Sequence, residues 1–371
     1  MKITNLETFF VKPRWVFLKV QTDEGLVGWG EPIVEGWSRT VAAAVEEMGR
    51  YLVGRDPRRI EHHWQAIYRG GFYRGGPVLT SALSGIEQAL WDIKGKALGA
   101  PVHELLGGRV RDRVRVYAHV KGKTPEALAE AARAKCDLGF TVLKTAPFRA
   151  ARFVESPEFI DRTVARVATL REAVGDGVEI ALDFHGRVRP ALAVPLCAAL
   201  APLCPMFIEE PTPPGNVDAL AEVARRSPVP IAAGERLFTR WGFREVLEKR
   251  AASILQPDVS HAGGILEVRK IAAMAETYFA ALAPHCPLGP ISLAACLQVD
   301  ACTPNFLCQE QVSLGEGYLK RPFVLRDGHV DVPAAPGLGV EVDEEALAEQ
   351  LYDGSWTTPR LRHDDGSVAD W

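Results

Sequence analysis

Apolar residues recur at every second position near the start of the chain. Val16, Leu18 and Val20 form one such run, Asp23-Glu24-Gly25 interrupts it, and Leu26-Val27-Gly28-Trp29 resumes it. That pattern predicts two strands joined by a tight turn. The period then lengthens. Residues 41–53 and 81–97 carry apolar side chains at three- and four-residue intervals, which predicts two helices. Gly99, with Pro101 just after it, is a stop signal for the second. Strands followed by helices read as an α+β unit ending near Arg113.

From Val114 onward a short apolar strand, a loop and an amphipathic helix repeat, the order expected of parallel strands with crossover helices. Strands are expected to end near Val120, Lys144, Asp183, Glu209, Glu235, Asp258, His285 and Glu310, eight in all. Thr124-Pro125 reads as cap and first turn of a helix with Leu128, Ala132 and Cys136 on one face and Gly139 closing it. Ser156-Pro157 opens another, with Ile160, Val164, Val167 and Val174 on its inner face. Eight such units make a closed α/β barrel the natural architecture.

Composition narrows the function. The 371 residues, nearly half of them apolar, can bury a large core, and a net charge of −4 over 43 basic and 47 acidic residues offers no basic stripe for nucleic acid or an anionic membrane. Seven cysteines without paired short spacing argue for a reducing compartment rather than a disulfide framework. With no charged leader and no apolar run long enough to cross a bilayer, a cytoplasmic protein is expected, with neither membrane nor nucleic acid as partner.

The polar residues fall in a register. Asp183, Glu209, Glu235, Asp258, His285 and Glu310 follow one another at intervals of 23 to 27 residues, each after an apolar strand. Side chains at the C-terminal ends of barrel strands converge on one face. Any one of these acids could simply cap the next helix or pair with an arginine. Three on adjacent strands, Asp183, Glu209 and Glu235, instead suit a hard divalent cation, Mg²⁺ in the first place. Glu210 must point away from Glu209 on a period-two strand and is read as a structural partner. Asp258 and His285 end neighbouring strands, so the carboxylate can orient the imidazole as a base. His185, two residues past Asp183, is expected on the same side as that ligand and becomes a second acid or base. His261 reads as structural, and His62, His63, His103, His119, His329 and His363 show no catalytic register.

The motifs Ala89-Leu90-Trp91-Asp92-Ile93-Lys94-Gly95-Lys96, Asp183-Phe184-His185-Gly186-Arg187, Ile208-Glu209-Glu210-Pro211, Ala233-Gly234-Glu235-Arg236, Gln256-Pro257-Asp258 through Gly264 and Pro284-His285-Cys286-Pro287 resemble the mandelate-racemase branch of the enolase superfamily. Within that branch they look most like its D-galactonate dehydratases. The likeness extends from Gly28-Trp29-Gly30-Glu31-Pro32 to Pro336-Gly337-Leu338-Gly339-Val340 and the Trp371 tail. It implies a capping domain over residues 1–113, a barrel over 114–320, and a segment 321–371 that packs back on the cap. It also implies that Asp183, Glu209 and Glu235 hold Mg²⁺, that Asp258 and His285 form the base dyad, and that Glu310 contacts the substrate carboxylate. Cap loops near Arg14-Trp15 and Phe72-Tyr73-Arg74 would help select the substrate, with Arg14 and Tyr73 as candidate contacts.

On this basis the chain is expected to dehydrate a six-carbon sugar acid. His285 would take the C2 proton, Lys144 and the metal would stabilise the enediolate, and His185 would protonate the departing 3-hydroxyl. A homo-oligomer is expected. One position departs from the family: Lys144-Thr145-Ala146 places alanine where a lysine or asparagine is usual. With no base on that face, racemisation between two opposed bases is not expected. Cycloisomerisation of a sugar lactone or anhydro sugar acid, and non-catalytic binding of a sugar acid, are the alternative expectations.

Overall fold

A computed structural model describes all 371 residues. Strands β1 (Ile3–Val11), β2 (Trp15–Thr22) and β3 (Val27–Gly30) form an antiparallel sheet in that order. Helices α1 (Ser38–Leu52) and α3 (Pro77–Leu98) pack on it, and α2 (Ile60–Gly70) packs on α3. The pattern at 60–70 gave no expectation of α2, although Ile60, His63 and Trp64 form its buried face at helical spacing. Helix α3 is buried on nearly every side between Thr80 and Ile93, because the small sheet covers one flank and the barrel the other. Gly28 and Gly30 make this approach possible: a side chain on either would collide with the carbonyls of Ala89 and Gly85 on α3. Gly99 ends α3 in the left-handed conformation at φ 65°.

A short helix, α4 (Val102–Leu105), leads into the barrel. Its strands are β4 (Arg113–His119), β5 (Val142–Thr145), β6 (Glu179–Asp183), β7 (Phe207–Glu209), β8 (Ile231–Ala233), β9 (Ile254–Leu255), β10 (Ala281–Leu282) and β11 (Gln309–Glu310). Each pairs in parallel with the next from β4 to β10. Leu282 bridges Phe306 and β11 pairs with β4, so the circle closes. Between the strands run α5 (Pro125–Asp137), α6 (Pro157–Val174), α7 (Pro190–Leu200), α8 (Val217–Arg226), α9 (Thr239–Glu248), α10 (Ile265–Thr277) and α11 (Pro290–Ala301). Thr124 caps α5 by accepting the Ala127 N–H. On α6 the fully buried stripe is Phe159, Thr163, Val167 and Leu170, so Ile160, Val164 and Val174 stand at its edge rather than at its centre.

Three strands end earlier than their sequence suggests. Glu235, Asp258 and His285 lie two or three residues beyond β8, β9 and β10. Pro257 and Pro284, directly before Asp258 and His285, have no N–H to extend a ladder. Inside the barrel one buried side chain from each strand, or the position next to it, forms a separate layer: Tyr117, Val142, Ala181, Phe207, Ala232, Ile254, Ala283 and Cys308. That layer closes the barrel's middle and leaves the C-terminal mouth as the place for polar groups.

Residues 321–371 serve both ends. A hairpin of β12 (Leu325–Arg326) and β13 (His329–Asp331) pairs antiparallel with the start of β4, away from the mouth. The chain then returns to the cap, where Lys19 meets Glu344 of α12 (Glu344–Glu349) at 2.6 Å, Val11 bridges Leu351, and the Tyr352 N–H donates to Phe10. No helix is long and apolar enough to cross a membrane.

Candidate active site

Strand parity builds the site. Two residues beyond the inner layer the same inward direction recurs at the mouth, giving His119 after Tyr117, Lys144 after Val142, Asp183 after Ala181, Glu209 after Phe207, His285 after Ala283 and Glu310 after Cys308. On the sixth strand the step leads from Ile254 to Gln256 and then to Asp258. The fifth strand breaks the rule, because Gly234 occupies the inward position at φ 147°, where a side chain would crowd Gln256 and Phe243. That residue lets the chain turn and deliver Glu235.

Lys144 sits among the acids. Its Nζ donates to Glu209 Oε1 at 2.8 Å and lies 3.4 Å from Asp183 Oδ2, Glu310 Oε1 and the Tyr117 hydroxyl. Burial alone would lower its pKa, but Glu209, Glu310 and Asp183 outweigh that and hold it well above an ordinary lysine. The acids divide accordingly. Burial would raise Asp183 and Glu310, yet Lys144 and the nearby histidines bring both below the usual carboxylate range. Burial and neighbouring carboxylates raise Glu209 and push Glu235 well up.

The cluster fits a hard cation. Glu209 Oε2 is buried and, although 2.6 Å from Lys144 Nζ, receives no well-directed hydrogen bond. Asp183 and Glu209 stand side by side in the β6–β7 register, and Glu235 follows two residues beyond the neighbouring strand β8. Three carboxylates gathered beside one lysine repel one another, which is part of why Glu209 and Glu235 hold their protons more tightly, and a divalent ion would offset that repulsion. Asp258, His261 and His285 bring donor atoms within 4.8 Å of one another, closer than Asp183, Glu209 and Glu235 converge, but hydrogen bonds already engage them. His285 Nδ1 donates to Asp258 Oδ2 at 2.7 Å, and His261 Nδ1 meets the Ser81 hydroxyl at 2.9 Å.

With Nδ1 engaged, His285 turns Nε2 toward Glu235 Oε2 at 3.3 Å and Glu310 Oε2 at 3.9 Å. Burial lowers its pKa, whereas Glu310, Glu235 and Asp258 together raise it well above that of an ordinary histidine. His185 goes the other way, to about 4: burial lowers it, Arg187 and Lys144 add to that, and only Asp183 resists. His185 does not reach Asp183 by strand alternation, because β6 has already ended. It takes the left-handed conformation at φ 52°, which turns its backbone N–H onto Asp183 Oδ1 at 2.9 Å and its ring Nδ1 to within 3.1 Å of the same oxygen. Glu210 likewise has φ 42° and pairs with Arg236.

Two residues outside the expected set belong to this network. His119 Nε2 meets Glu310 Oε1 at 2.5 Å, and Tyr117 packs beneath Lys144. Counting two residues from Tyr117 would have found His119. The candidate substrate contacts separate. Arg14 reaches the mouth loop, its Nη2 lying 3.4 Å from the Pro287 carbonyl and 3.5 Å from Glu35. Tyr73 is 86% exposed and meets edge-to-face only Phe72, itself 92% exposed. The α2–α3 loop projects its aromatic pair into solvent and brings Tyr73 to no site residue.

Comparison with known proteins identifies the family. Residues 6–107 match the model of the mandelate racemase / muconate lactonizing enzyme N-terminal domain, and residues 126–346 that of the enolase C-terminal domain-like family. Curated D-galactonate dehydratases of Ralstonia nicotianae and Pectobacterium atrosepticum are 52% and 48% identical to it, with all of each chain covered. Among solved structures, an enolase from Agrobacterium radiobacter with sodium and L-malate bound superposes with a TM-score of 0.93 at 34% identity, covering 100% of both chains. A mandelate racemase/muconate lactonizing enzyme from Sulfitobacter gives 0.90 at 36%, covering 95% of this chain and 96% of that one. The chain therefore belongs to the mandelate racemase / muconate lactonizing enzyme branch of the enolase superfamily.

Proposed function

We propose that this protein is a hydro-lyase that dehydrates a six-carbon aldonate of the D-galactonate type to a 2-keto-3-deoxy acid. The observation that carries this is a pair of histidines after the third and seventh of eight barrel strands, hence across the mouth from each other, with carboxylates and one lysine between them. Relatives named as D-galactonate dehydratases, about half identical over the full length, support the substrate class.

Asp183, Glu209 and Glu235 would hold Mg²⁺. Bound there, the cation would relieve His285 of one carboxylate that holds its proton, and it would offset the negative charge that develops on the substrate carboxylate. Asp258 fixes the His285 ring so that Nε2 is the atom that takes the C2 proton. Lys144 lies where the enediolate charge grows, and Glu310, tied to His119, lines the same wall. The C2–H electron pair is held first in the enediolate and becomes the C2–C3 double bond when, in the second step, the C3–O bond breaks. His185, neutral at rest, becomes easier to protonate beside this developing negative charge; it takes up a proton from solvent and passes it to the leaving oxygen, which departs as water. The enol product tautomerises to the ketone. Ala146 supplies no second base two residues beyond Lys144, which favours elimination over racemisation.

A panel of acid sugars, assayed for 2-keto-3-deoxy products with and without a chelator, tests this. Turnover of a six-carbon aldonate that vanishes on chelation and returns with Mg²⁺ is expected. Product from no aldonate, or full activity after exhaustive chelation, would overturn the proposal.

A further inference from the structure

Trp371 stands against His185. Their ring centroids are 5.7 Å apart and the planes perpendicular, an edge-to-face contact. The segment that delivers Trp371 is folded back on itself. Arg362 and Val368 bridge, the Ala369 N–H donates to Leu361, and Ala369 is buried. Asp370 then pairs with Arg189 at 2.9 Å, four residues beyond His185 in the same β6–α7 loop. Two successive residues thus clamp the loop, one on its charge and one on its histidine.

His185 needs such a clamp. Its backbone is in the left-handed region at φ 52°, an uncommon state for a residue with a side chain. Its Nδ1 is buried, and although Asp183 lies 3.1 Å away the geometry is not that of a hydrogen bond. Nothing holds the ring as Asp258 holds His285. The aromatic edge contact supplies a second restraint on its rotation.

We infer that Trp371, anchored through Asp370 and Arg189, is a positioning residue that keeps His185 aimed at the leaving hydroxyl, acting on the elimination half of the reaction and not on C2 proton removal. This rests on the proposed function for the identity of the two half-reactions. A small shift of an acid catalyst is costly, so loss of the contact should slow elimination roughly tenfold.

The test compares wild type with Trp371→Ala, Trp371→Phe and Asp370→Asn in the full chain with Mg²⁺. Two rates are read on the aldonate: exchange of the C2 hydrogen with solvent deuterium, and release of the 2-keto product. For Trp371→Ala, product release should fall roughly tenfold while exchange persists. Trp371→Phe should restore most of the loss, and Asp370→Asn should shift the ratio in the same direction by less. Equal loss of both rates, or no loss in either, overturns the inference. The ring protons of His185, read by NMR, should lose an aromatic ring-current shift in Trp371→Ala; an unchanged signal also overturns it. Trp371 is 45% exposed, so the variant is expected to fold. If wild type turns over no aldonate, the proposed function fails, while the NMR signal still decides whether the contact exists.

Discussion

His285 and His185 face each other across the barrel mouth, yet they are held by different parts of the molecule. The His285 side is built into the core. Asp258 holds its ring while accepting the Ser260 N–H at 2.6 Å, and Glu310 takes the Cys286 N–H at 2.9 Å. Beyond it Glu31 of the cap accepts from Gly289 at 2.6 Å and Ser292 at 2.9 Å, at the start of α11. Glu87 of α3 does the same for Ile265 and Leu266 at the start of α10. The His185 side has one left-handed residue, one adjacent carboxylate and an aromatic edge near the end of the sequence. A base that must meet a weakly acidic C–H gains from rigid orientation. An acid that acts once charge has developed can be positioned by the surface around it.

Substitution of the two rings should separate these sides most sharply. His285→Asn should cut both C2 deuterium exchange and dehydration by about 10²–10⁴-fold. His185→Asn should cut dehydration by about 10²-fold or more and leave exchange largely intact. Equal loss of both rates in both variants would mean that the roles are wrongly divided.

The scaffolding of the His285 side should respond to pH. Burial pushes Glu31 up to about 8 against the pull of its two N–H donors, and Glu87 also up to about 8. Both folded values lie above the unfolded value near 4.5, so the stabilisation is complete below that value and is lost as pH rises through about 8. The loss should be on the order of 1.4 kcal/mol per pH unit for each group within that window. Thermal melts at pH 6 and pH 9 should show a lower midpoint at pH 9, with a shallower slope in Glu87→Gln. A melting temperature that rises with pH would refute the account.

The smallest effects should come from the cap loops. Arg14→Ala should raise KM roughly two- to fivefold at unchanged kcat, because its contact with the Pro287 carbonyl is long and partly exposed. Tyr73→Ala should change kcat/KM by less than about twofold, as its ring touches only Phe72. A large loss in Tyr73→Ala would show that the α2–α3 loop folds over the bound substrate.

The barrel was legible because its units repeat the same local instruction: an apolar strand two or more residues long, a loop, and a helix, opened by proline in four of them. The spacing of acids gave Asp183, Glu209 and Glu310 their correct strand ends. It overran at Glu235, Asp258 and His285, because prolines and Gly234 end pairing before the functional residue is reached. His119 escaped notice for the opposite reason. Its strand is seven residues long, and the inward parity that marks it becomes visible only once Tyr117 is known to lie inside.

The order of residues by itself determined the sequence of strands and helices, the parity that turns Lys144, Asp183 and Glu209 inward, and the glycines that admit close packing of the cap. These depend on near neighbours, whose geometry is set by backbone sterics and side-chain period. Only the tertiary structure decided that Lys144 sits among carboxylates from three other strands, that His119 joins Glu310 from 191 residues away, and that Trp371 lies against His185. Such contacts join chain segments whose separation says nothing of their distance, and they exist because closing the barrel brings all eight strand ends to one mouth.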